Sequence, residues 1–184
     1  MTDCIDGARR RVLQLGLTAI AFSAVSKPAL AAIPRPKGEK ALSFLNLHTG
    51  ERLRVAYWRD GLYVKPAFER INHILRDHRT GEVYPINAGL MDLLYDLQKS
   101  LRHHSTIEII SGYRSPRTNA MLASASDGVA KRSLHTEGKA IDIRITGVSL
   151  RQVHTAALFL RRGGVGFYPS SGFVHVDIGR VRSW

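Results

Sequence analysis

The stretch SLHTEGKAIDIRI, residues 133–145, sets His135 seven positions before Asp142, where a turn feeds a strand. An extended strand rises ~3.3 Å per residue, so the loop must fold back if the histidine is to approach the aspartate. Gly138 is the residue that permits such a turn. Further on, GFVHVD carries His175 in the middle of an apolar strand. Strands pair side by side, so His175 is able to face Asp142 across a sheet. Asp177, two residues on, projects from the same face as His175. With that pairing, two acids and two histidines would converge on one sheet face.

The remaining periodicities supply such a fold. ALSFLNLHTGERLRVAYW alternates apolar and polar residues on both sides of Thr49 and Gly50, which predicts a hairpin. Helical spacing predicts a helix over 66–78, through Phe68, Ile71, Ile74 and Leu75. The strongest helix is predicted over 87–102, with Leu90, Leu93, Leu94, Leu97 and Leu101 on one stripe. IEIISGY (107–113) reads as a short buried strand, and Ser115–Pro116 opens another helix. AIDIRI is a strand, Ser149 opens a helix over 150–162, and GVGFY and GFVHVDI form a last hairpin around 169–172. Helices dominate the earlier part and strands cluster late. The class is therefore α+β, a single domain with a central antiparallel sheet and packed helices.

Taken singly, a strand histidine reads as a hydrogen-bonded core residue, and an aspartate near Arg144 as half of an ion pair. The combination H-x2-G-x-A-x-D followed by H-x-D, with SGYRS upstream, points instead to a metal site. A zinc enzyme needs three nitrogen or oxygen ligands and one open position for water. His135, Asp142, His175 and Asp177 are the candidates. There is no H-E-x-x-H helix, so a thermolysin-type site is not supported.

The segments SGYRSPRTN, SLHTEGKAIDIR and GVGFYPSSGFVHVDIGRVRSW resemble the zinc murein endopeptidases of the MepK type. Those enzymes fall in the wider group of D-Ala-D-Ala metallopeptidases, lysostaphin-type enzymes and the hedgehog signalling domain. The resemblance runs from about Ala41 to Trp184 and implies a fold of that group. It implies one zinc ion per chain, held by His135, Asp142 and His175. It implies that Arg114 lies beside the metal and meets a substrate carbonyl or carboxylate. It implies a periplasmic hydrolase whose partners are the cross-link peptides of peptidoglycan, with 4–3 and 3–3 linkages both open. Many members of the wider group carry a base as Glu three residues before the last ligand, or His two residues before it. Here those positions hold Gly172 and Phe173. The base is then sought first in Asp177, which would otherwise orient a ligand histidine, second in His154, whose helical spacing also suits a buried histidine, and third in Glu137.

The amino terminus fits that location. Residues 1–31 combine Arg9, Arg10 and Arg11, an apolar run from Val12 to about Val25, and Ala29-Leu30-Ala31. This is the order of an export signal. The arginine pair resembles the twin-arginine type, although Ala8 and Val12 depart from its usual residues. Residues 32–40 read as a Pro/Lys-rich extended lead-in, and 41–184 as the zinc peptidase domain. The apolar run is too short to span a bilayer comfortably, so no stable membrane span is expected after cleavage. Lysine and arginine outnumber acids 27 to 15. Such a balance favours polyanionic neighbours, and Lys131, Arg132, Lys139 and Arg144 around the motif suit murein carboxylates. The single cysteine, Cys4, excludes a disulfide framework and a thiolate metal site. A non-catalytic peptidoglycan-binding domain with structural zinc is the alternative. Nucleic-acid binding ranks behind both, since no binding module accompanies the charge.

Overall fold

The structure is a computed structural model that describes residues 36–125, 130 and 132–184. The expected export signal, residues 32–35 of the lead-in, and Lys131 lie outside the described residues.

Strand β1 (Glu39–Asn46) begins inside the expected lead-in and pairs antiparallel with β2 (Arg52–Arg59), as the alternation around Gly50 predicts. A two-residue strand, β3 (Leu62–Tyr63), follows at the edge. Helix α1 spans Lys65–Ile74, shorter than its apolar spacing suggests. Helix α2 spans Ala88–Ser100, and its Asn87 side chain accepts a hydrogen bond from Gly89 N at the N-terminus. Strand β4 (Ile107–Ser111), helix α3 (Pro116–Ala125), a 3-10 turn (Leu134–Glu137) and β5 (Ala140–Ile145) come next. Helix α4 (Leu150–Leu160) opens on a capping box between Ser149 and Gln152. Strands β6 (Gly164–Tyr168), β7 (Phe173–Asp177) and β8 (Arg182–Ser183) close the order.

All eight strands form one sheet in the order β3-β2-β1-β4-β5-β7-β6-β8. The pairings are antiparallel except β1 with β4 and β6 with β8, which are parallel. The class is α+β as expected. The order of elements also follows the expected one, with a hairpin before the first helix and the two-residue strands β3 and β8 added. Parallel pairing of β1 with β4 needs a long crossover, and α1 and α2 occupy it.

One sheet face is apolar. Leu42 and Phe44 of β1, Ile107 and Ile109 of β4, Ile143 and Ile145 of β5, and Val174 and Val176 of β7 are buried together with Leu90, Leu94 and Leu97 of α2 and Val153 and Ala157 of α4. Alternation then forces Asp142, His175 and Asp177 onto the opposite face. That face is also covered at this point, so both sides of β5 and β7 are buried. A bulge in β4 adds to the effect. Ile109 pairs with Ile143 but Ser111 pairs with Asp142, so Ile110 is the extra residue and Ser111 turns to the face of Asp142.

Candidate metal centre

The pairing places Asp142 of β5 directly across from His175 of β7. His135 arrives from the 3-10 turn, which stops at Gly138 in a left-handed conformation (φ 62°). A side chain at Gly138 would strike the Pro85 carbonyl, so the position is closed to other residues on two counts. His135, Asp142 and His175 are 1 %, 2 % and 9 % exposed.

Their donor atoms converge. His175 Nδ1 lies 2.8 Å from Asp142 Oδ1, His135 Nε2 lies 3.3 Å from the same oxygen, and the two ring nitrogens are 3.2 Å apart. A tetrahedral ion with bonds of ~2.0–2.1 Å needs donors roughly 3.3 Å from one another, so this triangle fits a zinc-sized ion. Each histidine is oriented from behind. His135 Nδ1–H donates to the Gly112 carbonyl at 2.7 Å, which leaves Nε2 with its lone pair inward. His175 Nε2 lies 3.1 Å from Asp177 Oδ2 and donates there, which aims Nδ1 at the centre.

Electrostatics favour a cation. Burial pushes the His135 imidazole below its ordinary range. Burial opposes ionisation of Asp142 too, but the two imidazoles and the Arg114 guanidinium outweigh it and hold the carboxyl well below the usual range. His175 feels burial as well, yet the carboxylates at both ring nitrogens outweigh it and raise its affinity for a proton. A metal cation held by the three donors would take the place of a proton on His175 Nδ1.

Arg114 is brought to this centre. Its Nη2 donates to Asp142 Oδ2 and its Nε donates to Ser111 Oγ at 2.8 Å. Its backbone N–H also donates to the His135 carbonyl, at 3.2 Å. Asp177 is at the centre but behind it, fully buried. Its Oδ1 accepts from Gly164 N (2.9 Å), Gly179 N (2.7 Å) and Arg182 Nη1 (3.2 Å), and its Oδ2 accepts from Arg182 Nη2 (2.7 Å) and His175. Burial would raise this carboxyl, but those hydrogen bonds outweigh it and hold it well below the usual range. With both oxygens engaged by donors, this carboxylate faces the outer nitrogen of His175 rather than the cleft.

The other two candidate bases stand apart. His154 stacks on Phe167 at 4.6 Å, and Phe167 pairs with Val174 on the apolar face, so α4 holds His154 on the far side of the sheet. Glu137 is exposed and pairs with Lys139 at 2.7 Å. Of the basic residues expected around the motif, Arg132 lines the cleft in front of the donors, whereas Lys139 is paired with Glu137 and Arg144 with Glu108.

That cleft has a volume of about 490 Å³. Its walls include Arg114, Arg132, Tyr168, Phe173, Arg182 and Trp184, around the three donors. Tyr168, Arg182 and Trp184 were not anticipated from the sequence. The signal was present in the spacing, since Gly164 and Gly166 of GVGFY alternate in step with Arg182 and Trp184. Gly166 pairs with His175 and Gly164 with Arg182, so these glycines lie on the donor face of β6. With no side chains there, Arg182 reaches across to Asp177, and the Trp184 ring lies 5.3 Å from that of His175.

Comparison with known proteins gives concordant matches. Residues 35–184 match the family model described as Peptidoglycan L,D-endopeptidase MepK, within the M15 peptidases. The Escherichia coli K12 protein named Peptidoglycan L,D-endopeptidase MepK is 41% identical over 182 residues, covering 99% of this chain and all of the relative. The Haemophilus influenzae protein named Probable peptidoglycan L,D-endopeptidase MepK is 41% identical over 181 residues, covering 98% of this chain and 97% of the relative. No solved structure matches significantly.

Proposed function

This chain belongs to the peptidoglycan L,D-endopeptidase MepK family of metallopeptidases, and from that premise we propose that it is a zinc-dependent murein endopeptidase cutting L,D (3–3) peptide cross-links in the periplasm. The observation that carries the zinc assignment is the triangle of His135 Nε2, Asp142 Oδ1 and His175 Nδ1, with edges of 2.8–3.3 Å on the wall of an open cleft. Structural zinc sites are closed by four protein ligands, whereas catalytic ones keep a position for water. Three donors facing a cleft support catalysis over a structural role.

A zinc ion held there would supply a Lewis acid and a bound water acidified toward a pKa of ~7. The chain's own part is to hold and orient. The Gly112 carbonyl and the Asp177 carboxylate fix the two imidazoles, so their inner nitrogens need no reorientation. Arg114 holds Asp142 through its second oxygen. Its guanidinium also lines the cleft, where it faces a substrate carbonyl or carboxylate as fixed positive charge. Arg132 adds positive charge to the rim, suited to the free carboxylates of murein peptides.

For export we propose the twin-arginine route, on Arg9 and Arg10 with the apolar run and Ala29-Leu30-Ala31 behind them. Among the described residues no helix is long and apolar enough to cross a membrane. Digestion of purified muropeptide dimers of defined linkage, read by mass spectrometry, tests the substrate. The 3–3 dimer is expected to yield monomers and the 4–3 dimer to remain intact. Cleavage of the 4–3 dimer alone would overturn the L,D assignment.

A further inference from the structure

The cleft wall opposite the ligand turn is aromatic. Tyr168 and Phe173, cross-strand neighbours of β6 and β7, stack at 4.7 Å. Trp184 Nε1–H donates to Tyr168 Oη at 2.6 Å. The Arg182 guanidinium lies 4.9 Å from the same indole. Gly166 makes the arrangement possible, since a Cβ there would fall 2.7–2.8 Å from the Trp184 and Tyr168 rings.

The hydrogen-bond chemistry of this pair has one solution. An indole N–H only donates, so Tyr168 Oη must accept from it. The hydroxyl's own proton is thereby turned away from Trp184. Among the described residues no protein acceptor takes it. Tyr168 lines the cleft that contains His135, Asp142 and His175, and Trp184 packs beside the His175 ring. A donor fixed in this way is able to meet charge that develops at a reacting carbonyl, with little reorganisation when the charge appears.

We infer that Tyr168 is a catalytic residue whose hydroxyl hydrogen-bonds the scissile carbonyl oxygen of the substrate, and that Trp184 is the positioning residue that aims it. The role rests on the endopeptidase reading above. The proton stays on tyrosine throughout. The interaction strengthens as the oxygen gains charge, so it serves turnover more than binding.

The test is a double-mutant cycle on the zinc-saturated protein with the 3–3 muropeptide dimer, using Tyr168→Phe, Trp184→Phe and the pair. Tyr168→Phe is expected to lower kcat on the order of 10²-fold with KM within about twofold. Trp184→Phe keeps a ring but frees the hydroxyl, and is expected to lower kcat by about fivefold, the effect of one neutral hydrogen bond. The double variant is expected to match Tyr168→Phe alone, because Trp184 acts through that hydroxyl. Zinc affinity and melting temperature are expected to stay at wild-type values in Tyr168→Phe. A kcat for Tyr168→Phe within about twofold of wild type overturns the inference. So do multiplicative losses, which would make Trp184 an independent wall, and so does a loss of zinc affinity that accounts for the lost activity. A wild-type protein that cleaves no muropeptide dimer overturns the endopeptidase reading and this role with it.

Discussion

Asp177 shows how one residue's surroundings decide its chemistry. On sequence grounds it was the nearest spare carboxylate to His175. In the fold it has no exposed surface, accepts from two backbone amides and the Arg182 fork, and turns its remaining capacity to the outer nitrogen of His175. We propose that it orients a ligand rather than taking a proton from water. Asp177→Asn is therefore expected to weaken zinc affinity by ~10–100-fold. Turnover at saturating zinc is expected to stay near wild type. Zinc titration and dimer cleavage on this one variant check both parts. Retained zinc affinity with a ~10²–10⁴-fold loss of turnover would mark Asp177 as the base after all. No periodicity in the sequence distinguishes these roles. The deciding partners, Gly164, Gly179 and Arg182, come from β6, from the turn after β7 and from β8.

At the scale of elements, the parts that repeat locally were legible and those that depend on remote partners were not. Alternation in AIDIRI and FVHVD indicated which residues share a face, whereas the register that sets Asp142 opposite His175 comes from the pairing of β5 with β7. The leucine stripe of α2 and the capping box of α4 are equally local. The bulge at Ile110, the parallel pairing of β1 with β4, and the two-residue β8 leave no local pattern. The turn after α1 is another such case. Buried Asp77 accepts from Arg79 N and Ser115 N, both at 2.9 Å, and so ties that turn to the start of α3 next to Arg114. Burial alone would raise the Asp77 carboxyl, but hydrogen bonds from Thr118, Ser115 and Arg79 outweigh it and hold it well below the usual range. A carboxyl whose folded pKa lies below its unfolded value of ~3.9 stabilises the fold above that pH. The contribution is lost as pH falls through the folded value. Asp77→Ala is expected to cost about 2–3 kcal/mol at pH 7, as charge-assisted hydrogen bonds are lost and buried N–H groups are left unpaired. Its melting temperature is expected to fall less steeply than that of wild type below pH ~4. Thermal melts of both proteins at pH 7 and pH 3 decide it, and parallel losses would show that Asp77 carries no such linkage. For β6, Gly166→Ala is expected to push the Trp184 indole off Tyr168 and so reproduce the kinetic defect of Trp184→Phe. Kinetics at wild-type level in Gly166→Ala would mean that the wall accommodates the methyl group.

For the whole molecule, the excess of basic residues acquires a location. Arg114, Arg132 and Arg182 converge on the cleft, where Arg114 pairs with Asp142 and Arg182 with Asp177, while Lys139 and Arg144 pair with Glu137 and Glu108 away from it. The export reading is tested by replacing Arg9 and Arg10 together with lysine. The precursor is expected to stay in the cytoplasm, and wild-type amounts of periplasmic protein would count against the twin-arginine route. We propose that His135, Asp142 and His175 hold the zinc needed to cut 3–3 cross-links. The most direct measurement is to strip the mature protein with a chelator and titrate zinc back while following cleavage of the 3–3 dimer. No cleavage is expected at the start, then a rise that saturates at about one zinc per chain, and no rise in His135→Ala, Asp142→Ala or His175→Ala. Cleavage by the stripped protein, or a full rise in any of the three variants, would contradict this assignment.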